Sequence, residues 1–207
     1  MEINIDCDYK NWNQFYGKDF NHIKPNSFKS FREFSNVCSN DKKYLRTLNY
    51  GKRFIDLADR IKKLDEGFDS WQIFFLVVCA ESIYRLQNNK QNERSISKSS
   101  FTRFCERNFL TVDKKILEDC FTIKQGDKYG PLTFKEITEY FYKVRCDVVH
   151  KGLYDRFHWN KSDDIQKALF IEYKEDGRIK KDTIYIKNMT YQEIRPMFIK
   201  AIIKSIV

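Results

Sequence analysis

Residues 69–86 read DSWQIFFLVVCAESIYRL, and this stretch decides the fold class. Trp71, Ile73 through Ala80, Ile83, Tyr84 and Leu86 leave almost no polar face. A helix apolar all round is a central one, covered by neighbours on several sides. The unbroken apolar run Ile73–Ala80 also fits a buried strand, but the length of the segment and its lack of turn residues favour helix. Glu81 is the one charge between Asp69 and Arg85. A buried carboxylate needs a partner, or its pKa rises.

Upstream of this helix the pattern is again helical from Asp41 to Leu64. Phe54, Leu57, Ala58, Ile61 and Leu64 share one face, and Glu66-Gly67 reads as the stop. Residues 1–40 carry Trp12, Phe15, Tyr16, Phe20, Phe28, Phe31 and Phe34 among polar neighbours. So many aromatics argue for a segment that packs on the main body, expected as loop-rich with one short helix.

Downstream, Gln87–Ser100 is polar and reads as a surface loop. Phe101–Phe109 and Val112–Phe121 have the look of two short helices, followed by turn signals at Gln125-Gly126-Asp127 and Gly130-Pro131. Thr133 and Glu136 have capping-box spacing and open a helix that runs to about Lys151, with Gly152 placed to end it. After Asp164 the period changes. Leu169–Lys174 and Arg178–Lys187 read as strands around Asp176-Gly177, a strong hairpin dipeptide. Thr190 and Glu193 form a second capping box and open a last helix with Ile194, Phe198, Ala201, Ile202 and Ser205 on one side. Pro196, past its first turn, is expected to kink it. The expectation is a mainly α protein of about five or six helices. Residues 41–207 form the main domain, with a hairpin at 168–187 and a closing helix at 190–207.

Bulk properties agree with one folded domain. The chain has 207 residues, 42% hydrophobic and 16% aromatic, which supplies a core. Only 7 Gly and 3 Pro argue against long disordered linkers. The net charge of +9 favours encounter with polyanions, so nucleic acid is a candidate partner, although many basic proteins bind nothing anionic. Lys42-Lys43, Lys52-Arg53, Lys62-Lys63, Lys114-Lys115 and Lys180-Lys181 come in pairs that ordinarily mark solvated faces. Cys7, Cys38, Cys79, Cys105, Cys120 and Cys146 form no C-x-x-C pair and no zinc spacing, so reduced thiols, no metal and a cytoplasmic setting are expected. Met1–Lys10 has no apolar signal-peptide core, and the eight-residue run Ile73–Ala80 is far short of the ~20 residues that span a bilayer, so no membrane association is expected. No P-loop, dinucleotide fingerprint, H-E-x-x-H or G-x-S-x-G is present, which speaks against nucleotide hydrolysis, redox and esterase chemistry.

The candidate site lies in Tyr140–Gly152, YFYKVRCDVVHKG. On a helix, Phe134, Ile137, Phe141, Val144 and Val148 form one narrow core stripe. Arg145 lies beside the stripe and His150 almost opposite its centre. Between them, around the circumference, come Val149, Tyr142 and Cys146, a second apolar patch that a lone monomer has no reason to place outward. Another helix, from the same chain or a second copy, would bury it; a homodimer seam is the preferred reading. Taken alone, an Arg and a His on one helix are more often surface or core residues than catalysts.

The pair Arg145-x4-His150, late in a bundle and followed by Gly152, resembles the Arg-x4–6-His signature of the HEPN superfamily. The resemblance covers Phe134–Gly152 firmly and extends loosely to Asp69–Leu86. It departs at Cys146, where the family commonly has a polar residue, with Asp147 one step later. The resemblance implies a helical bundle that dimerises and brings two Arg/His pairs into one cleft. It implies an endoribonuclease needing no cofactor or metal, as a toxin or antiviral effector with an antitoxin or other protein partner. The alternative is a non-catalytic binding or regulatory module. Arg145 and His150 would be the catalytic residues, with Asp147, Glu81 and Tyr154 in support. Glu81 would orient Arg145 or a motif His, or else hold a structural salt bridge with a core Arg or cap a neighbouring loop, and Tyr154 and His158 would line the cleft or act as ordinary loop residues.

Overall fold

The computed structural model describes residues 5–23, 27–61, 68–92, 97–125, 128–155, 157–175 and 178–207. Among them are eight helices: α1 (Ile5–Ile23), α2 (Phe31–Asn40), α3 (Lys42–Ile61), α4 (Asp69–Gln87), α5 (Ser97–Asn108), α6 (Thr111–Cys120), α7 (Phe134–Lys151) and α8 (Tyr191–Lys204). Four strands, β1 (Phe121–Gln125), β2 (Lys128–Pro131), β3 (Gln166–Glu175) and β4 (Arg178–Ile186), make one antiparallel sheet in the order β2-β1-β4-β3. The expected mainly helical architecture, with a small hairpin ahead of a closing helix, is therefore what the chain adopts. The expected stops at Glu66-Gly67 and turns at Gly126-Asp127 and Asp176-Gly177 lie outside the described residues, as do Leu64 and 93–96 of the polar loop.

The helix α4 is the axis of the molecule, packed by α3, α5, α7 and α8. Ile73, Leu76, Val77, Cys79, Ala80 and Ile83 are fully buried on it. Its burial is nevertheless not uniform. Trp71, Phe74, Phe75 and Val78 remain only half-buried. They recur at i, i+3, i+4 and i+7, one stripe of a helix. The expectation of cover on every side fails there: Tyr154 stacks on Trp71, and the stripe is otherwise left half-covered.

The N-terminal segment is more ordered than its sequence suggested. Instead of loops and one short helix it forms α1 and α2. Trp12, Tyr16 and Phe20 recur every four residues and are buried with Phe31 and Phe34. The hydroxyl of Tyr16 donates to the Leu48 carbonyl at 2.6 Å, and Trp12 Nε1 donates to Asn49 Oδ1 at 3.2 Å, which ties α1 to α3. Gly51 permits this approach: a Cβ there would lie 2.6 Å from Tyr16 Oη and 2.9 Å from Ile202 Cδ1. The buried line of α3 runs through Leu48, Gly51, Ile55 and Ala58; of the expected face only Ala58 lies on it, while Phe54, Leu57 and Ile61 are half-buried.

The second half follows its local signals closely. Both capping boxes form, at Thr133/Glu136 and Thr190/Glu193. Gly152 ends α7 in the left-handed region at φ 64°, which costs glycine nothing. Pro196 lies inside α8, whose buried surface is wider than the expected side and adds Met197, Ile199 and Ile203. The short hairpin β1–β2 went unread in the sequence, where only its turns were visible. It joins the later hairpin through β1–β4 pairs such as Ile123 with Ile184.

Candidate functional site

The helix α7 carries the candidate pair. Its expected core stripe, Phe134, Ile137, Phe141, Val144 and Val148, is buried in full. That fixes the rotation of the helix and hence the direction of every other side chain on it. Arg145, beside the stripe, is largely covered, and its guanidinium lies 3.7 Å from the Glu81 carboxylate of α4. Its Cζ also sits 5.6 Å from the centre of the Tyr142 ring, within cation–π range. Glu81 is buried. Burial pushes its carboxyl up, while Arg145 and Arg85 pull it back down.

Arg85 extends the cluster: its Nη2 donates to Ser97 Oγ at 2.8 Å. Polar capacity is left over. Glu81 Oε1, Arg85 Nε and Arg145 Nε are buried with no hydrogen-bond partner. The cluster therefore holds Arg145 by charge more than by a saturated hydrogen-bond network. Among the described residues His150 makes no hydrogen bond or ion pair, and it is exposed in the last turn of α7. At about 100° per residue it lies about 140° around the helix from Arg145, so one chain does not bring the two side chains together.

Asp147 does not join them. It is buried, accepts from Lys151 Nζ at 2.6 Å, and its carbonyl receives the Leu153 N–H that helps close the helix. Two residues from Arg145, it faces the other side of α7, and its contacts are structural. Tyr154 is exposed at 44%, yet it stacks on Trp71 with ring centres 5.9 Å apart. Trp71 is ten residues before Glu81, so Tyr154 lies about 15 Å along α4 from the Arg145–Glu81 pair. His158 Nδ1 is 4.0 Å from Asp69 Oδ2, at that same far end of α4.

The two apolar strips become one surface. On α4 the half-buried stripe Trp71–Phe74–Phe75–Val78 adjoins Glu81. On α7 the patch Tyr142, Cys146 and Val149 adjoins Arg145, with Val149 exposed at 48%. The Glu81–Arg145 pair therefore lies in the seam between two apolar strips that face the same way. The sequence showed the α7 strip but not the α4 strip, because α4 offers no polar face against which to recognise an outward one.

Of the basic pairs, Lys62-Lys63 and the side chains of Lys180-Lys181 lie outside the described residues. Lys52 is paired with Asp56, and Lys115 lies 2.9 Å from Asp119. Cys38, Cys79 and Cys105 are buried free thiols, and burial raises each of them; the Cys7 side chain lies outside the described residues. No described helix is long and apolar enough to cross a membrane. Compared with known family models, curated proteins and solved structures, the chain matches none.

Proposed function

We propose that the protein is an endoribonuclease of HEPN type that works without a metal ion in the cleft of a homodimer. The observation that carries this reading is the composite apolar face of α4 and α7, with the held Arg145 in its seam and the exposed His150 at its rim. Large exposed apolar faces on a soluble domain mark interaction sites. A second copy seated on this face by twofold symmetry would meet the same residues in itself. It would also place two Arg145 and two His150 around one groove, which a single chain does not do.

The chemistry follows from those two residue types. RNA supplies its own nucleophile, the 2′-OH. One His150 takes that proton as general base, and the partner's His150 protonates the departing 5′-oxygen. Arg145, oriented by Glu81, offers its planar fork to the phosphate and stabilises the charge that builds on it. The products are a 2′,3′-cyclic phosphate and a 5′-hydroxyl. The regulated setting that suits such an activity is a toxin or antiviral effector in the cytoplasm, restrained by an antitoxin or another protein.

The test is RNA cleavage by the purified chain in EDTA. His150→Ala should lower the rate by about a hundredfold or more while the fold is kept. Cleavage at the wild-type rate by a pure, folded variant would overturn the assignment.

One observation favours the second reading, a non-catalytic module that recruits a protein or RNA. Arg145 already has an ionic partner in Glu81 and a ring beneath it in Tyr142, and Cys146 occupies the position next to it that is polar in HEPN nucleases. On that reading no RNA is cut by the wild type, and the apolar face still sustains a defined complex.

A further inference from the structure

The helix α3 carries a repeat that the core does not use. The core takes one line of it, Leu48, Gly51, Ile55 and Ala58. Beside that line Tyr50, Phe54, Leu57 and Ile61 follow one another at spacings of 4, 3 and 4, the alternation of a coiled-coil seam. Phe54, Leu57 and Ile61 are half-buried, and Tyr50 is 38% exposed. An apolar seam is therefore present and only half covered.

A row of cations flanks it. Arg46, Arg53 and Arg60 recur every seven residues, each four places before a seam residue, and all three are exposed. Exposed Lys42 begins the row, which runs to Arg60 over about 27 Å, or five turns. Among the described residues no hydrogen bond or ion pair holds the side chain of Arg46, Arg53 or Arg60. The carboxylates of α3 do not answer them. Asp56 is paired with Lys52, while Asp59 takes the Tyr191 hydroxyl at 2.8 Å and Arg195 at 2.9 Å. The opposite flank of the seam is Gly51 and Ala58, both buried in the core, so only the arginine flank is open.

We propose that this face of α3 docks an amphipathic helix of a second protein, apolar along its inner side and lined with Asp or Glu along one edge. Side chains that flank a heptad seam pair across it and thereby choose the partner. Three arginines in register, with planar forks that suit carboxylates, call for acidic residues at the same repeat. A second copy of this chain does not meet that need. Laid antiparallel, it would set arginine against arginine; laid parallel, it would offer Gly51 and Ala58. Like charges across an interface exclude a partner rather than recruit it. A nucleic-acid strand or an anionic lipid surface answers the charge but makes no use of the 4-3 repeat. A surface-bound helix also needs a broad apolar face, which α3 has given to the core. The proposal uses neither Arg145 nor His150 and does not rest on the nuclease reading.

The experiment is fluorescence anisotropy of the full chain with a labelled three-heptad peptide, Leu along its seam and Glu on both flanks. The comparison probes are a scrambled peptide of the same composition, a peptide with Lys in place of Glu, an oligouridylate and phosphatidylserine vesicles. The ordered Glu peptide should bind one per chain, and the scrambled one at least about tenfold more weakly. The double variant Arg46→Glu, Arg53→Glu, at two exposed positions, should lose about a hundredfold in affinity for the Glu peptide and accept the Lys peptide instead. Should that variant fail to fold, Arg53→Ala decides, with a loss of about threefold or more expected. Phe74→Glu, on α4, should leave the affinity unchanged, which separates this face from the proposed dimer seam. The proposal is overturned if the ordered peptide does not bind or binds no better than the scrambled one. It is equally overturned if the arginine variants bind as wild type, or if Phe74→Glu abolishes binding. Tighter binding of the oligouridylate or the vesicles, lost with the double variant, would give the face to a nucleic acid or a membrane and overturn it too.

Discussion

The two long sides of α4 make opposite use of the same kind of residue. On the inner side Ile73, Leu76, Val77, Ala80 and Ile83 are fully excluded from water. On the outward side Trp71, Phe74, Phe75 and Val78 are equally apolar but only half-covered. The inner side is completed by this chain's own helices. The outer side is covered only in part, with Tyr154 stacked on Trp71 at its start. The difference teaches that apolar composition measures how much surface a helix must bury, and not whose surface buries it.

The comparison can be broken first on the inner side. Leu76→Ala should cost about 2–5 kcal/mol, since the close-packed neighbours collapse only partly into the space left. Urea unfolding followed by circular dichroism measures this. A cost below about 1 kcal/mol would mean that the inner side is as loosely packed as the outer one.

The outer side is tested by charge. Phe74→Glu should leave the monomer folded and raise the dimer dissociation constant by at least about a hundredfold, the loss expected for an aromatic at the centre of an interface. Light scattering across a dilution series reads the mass. A wild type that is strictly monomeric at every concentration would remove the second copy from the argument, and the dimer-cleft nuclease with it.

A smaller effect separates the seam from both sides. Burial holds the Glu81 carboxyl above its ordinary 4.5 in the folded chain. The fold therefore keeps a proton that the unfolded chain has released, and stability falls as pH rises from 4.5 through the raised value. Glu81→Gln should flatten that fall. Unfolding free energies of wild type and variant that run parallel from about pH 4 to pH 7 would show that the Arg145 pairing cancels the burial. Smallest of all, Val78→Ala on the outer stripe should cost under about 1 kcal/mol in the monomer, because a half-exposed side chain loses little burial. A cost equal to that of Leu76→Ala would erase the contrast between the sides.

Legibility in the sequence followed the range of the interaction involved. Both capping boxes, the left-handed Gly152 and the core stripe of α7 were read correctly because each depends on residues within a turn or two. The hairpin β1–β2 was missed because Phe121–Gln125 is short and gains its place from β4, which lies some sixty residues later; Ile123 opposite Ile184 is one such pair. Residues 1–40 read as loop-rich with one short helix because their aromatics are spread among polar residues. Only the burial of Trp12, Tyr16 and Phe20 against α3 and α8 reveals the helical face of α1. At the site, the positions of Arg145 and His150 on α7 were legible from the helical period. The pairing of Arg145 with Glu81 was one of several readings open for that carboxylate.

By itself the sequence determined that α4 is central, where α7 and α8 begin, and that Arg145 and His150 leave their helix in different directions. These are consequences of period and capping, which act along a single element. Which side of α4 the chain covers and which cation meets Glu81 were decided only by tertiary structure. Each of these depends on two or more elements distant in sequence, whose meeting no local pattern encodes.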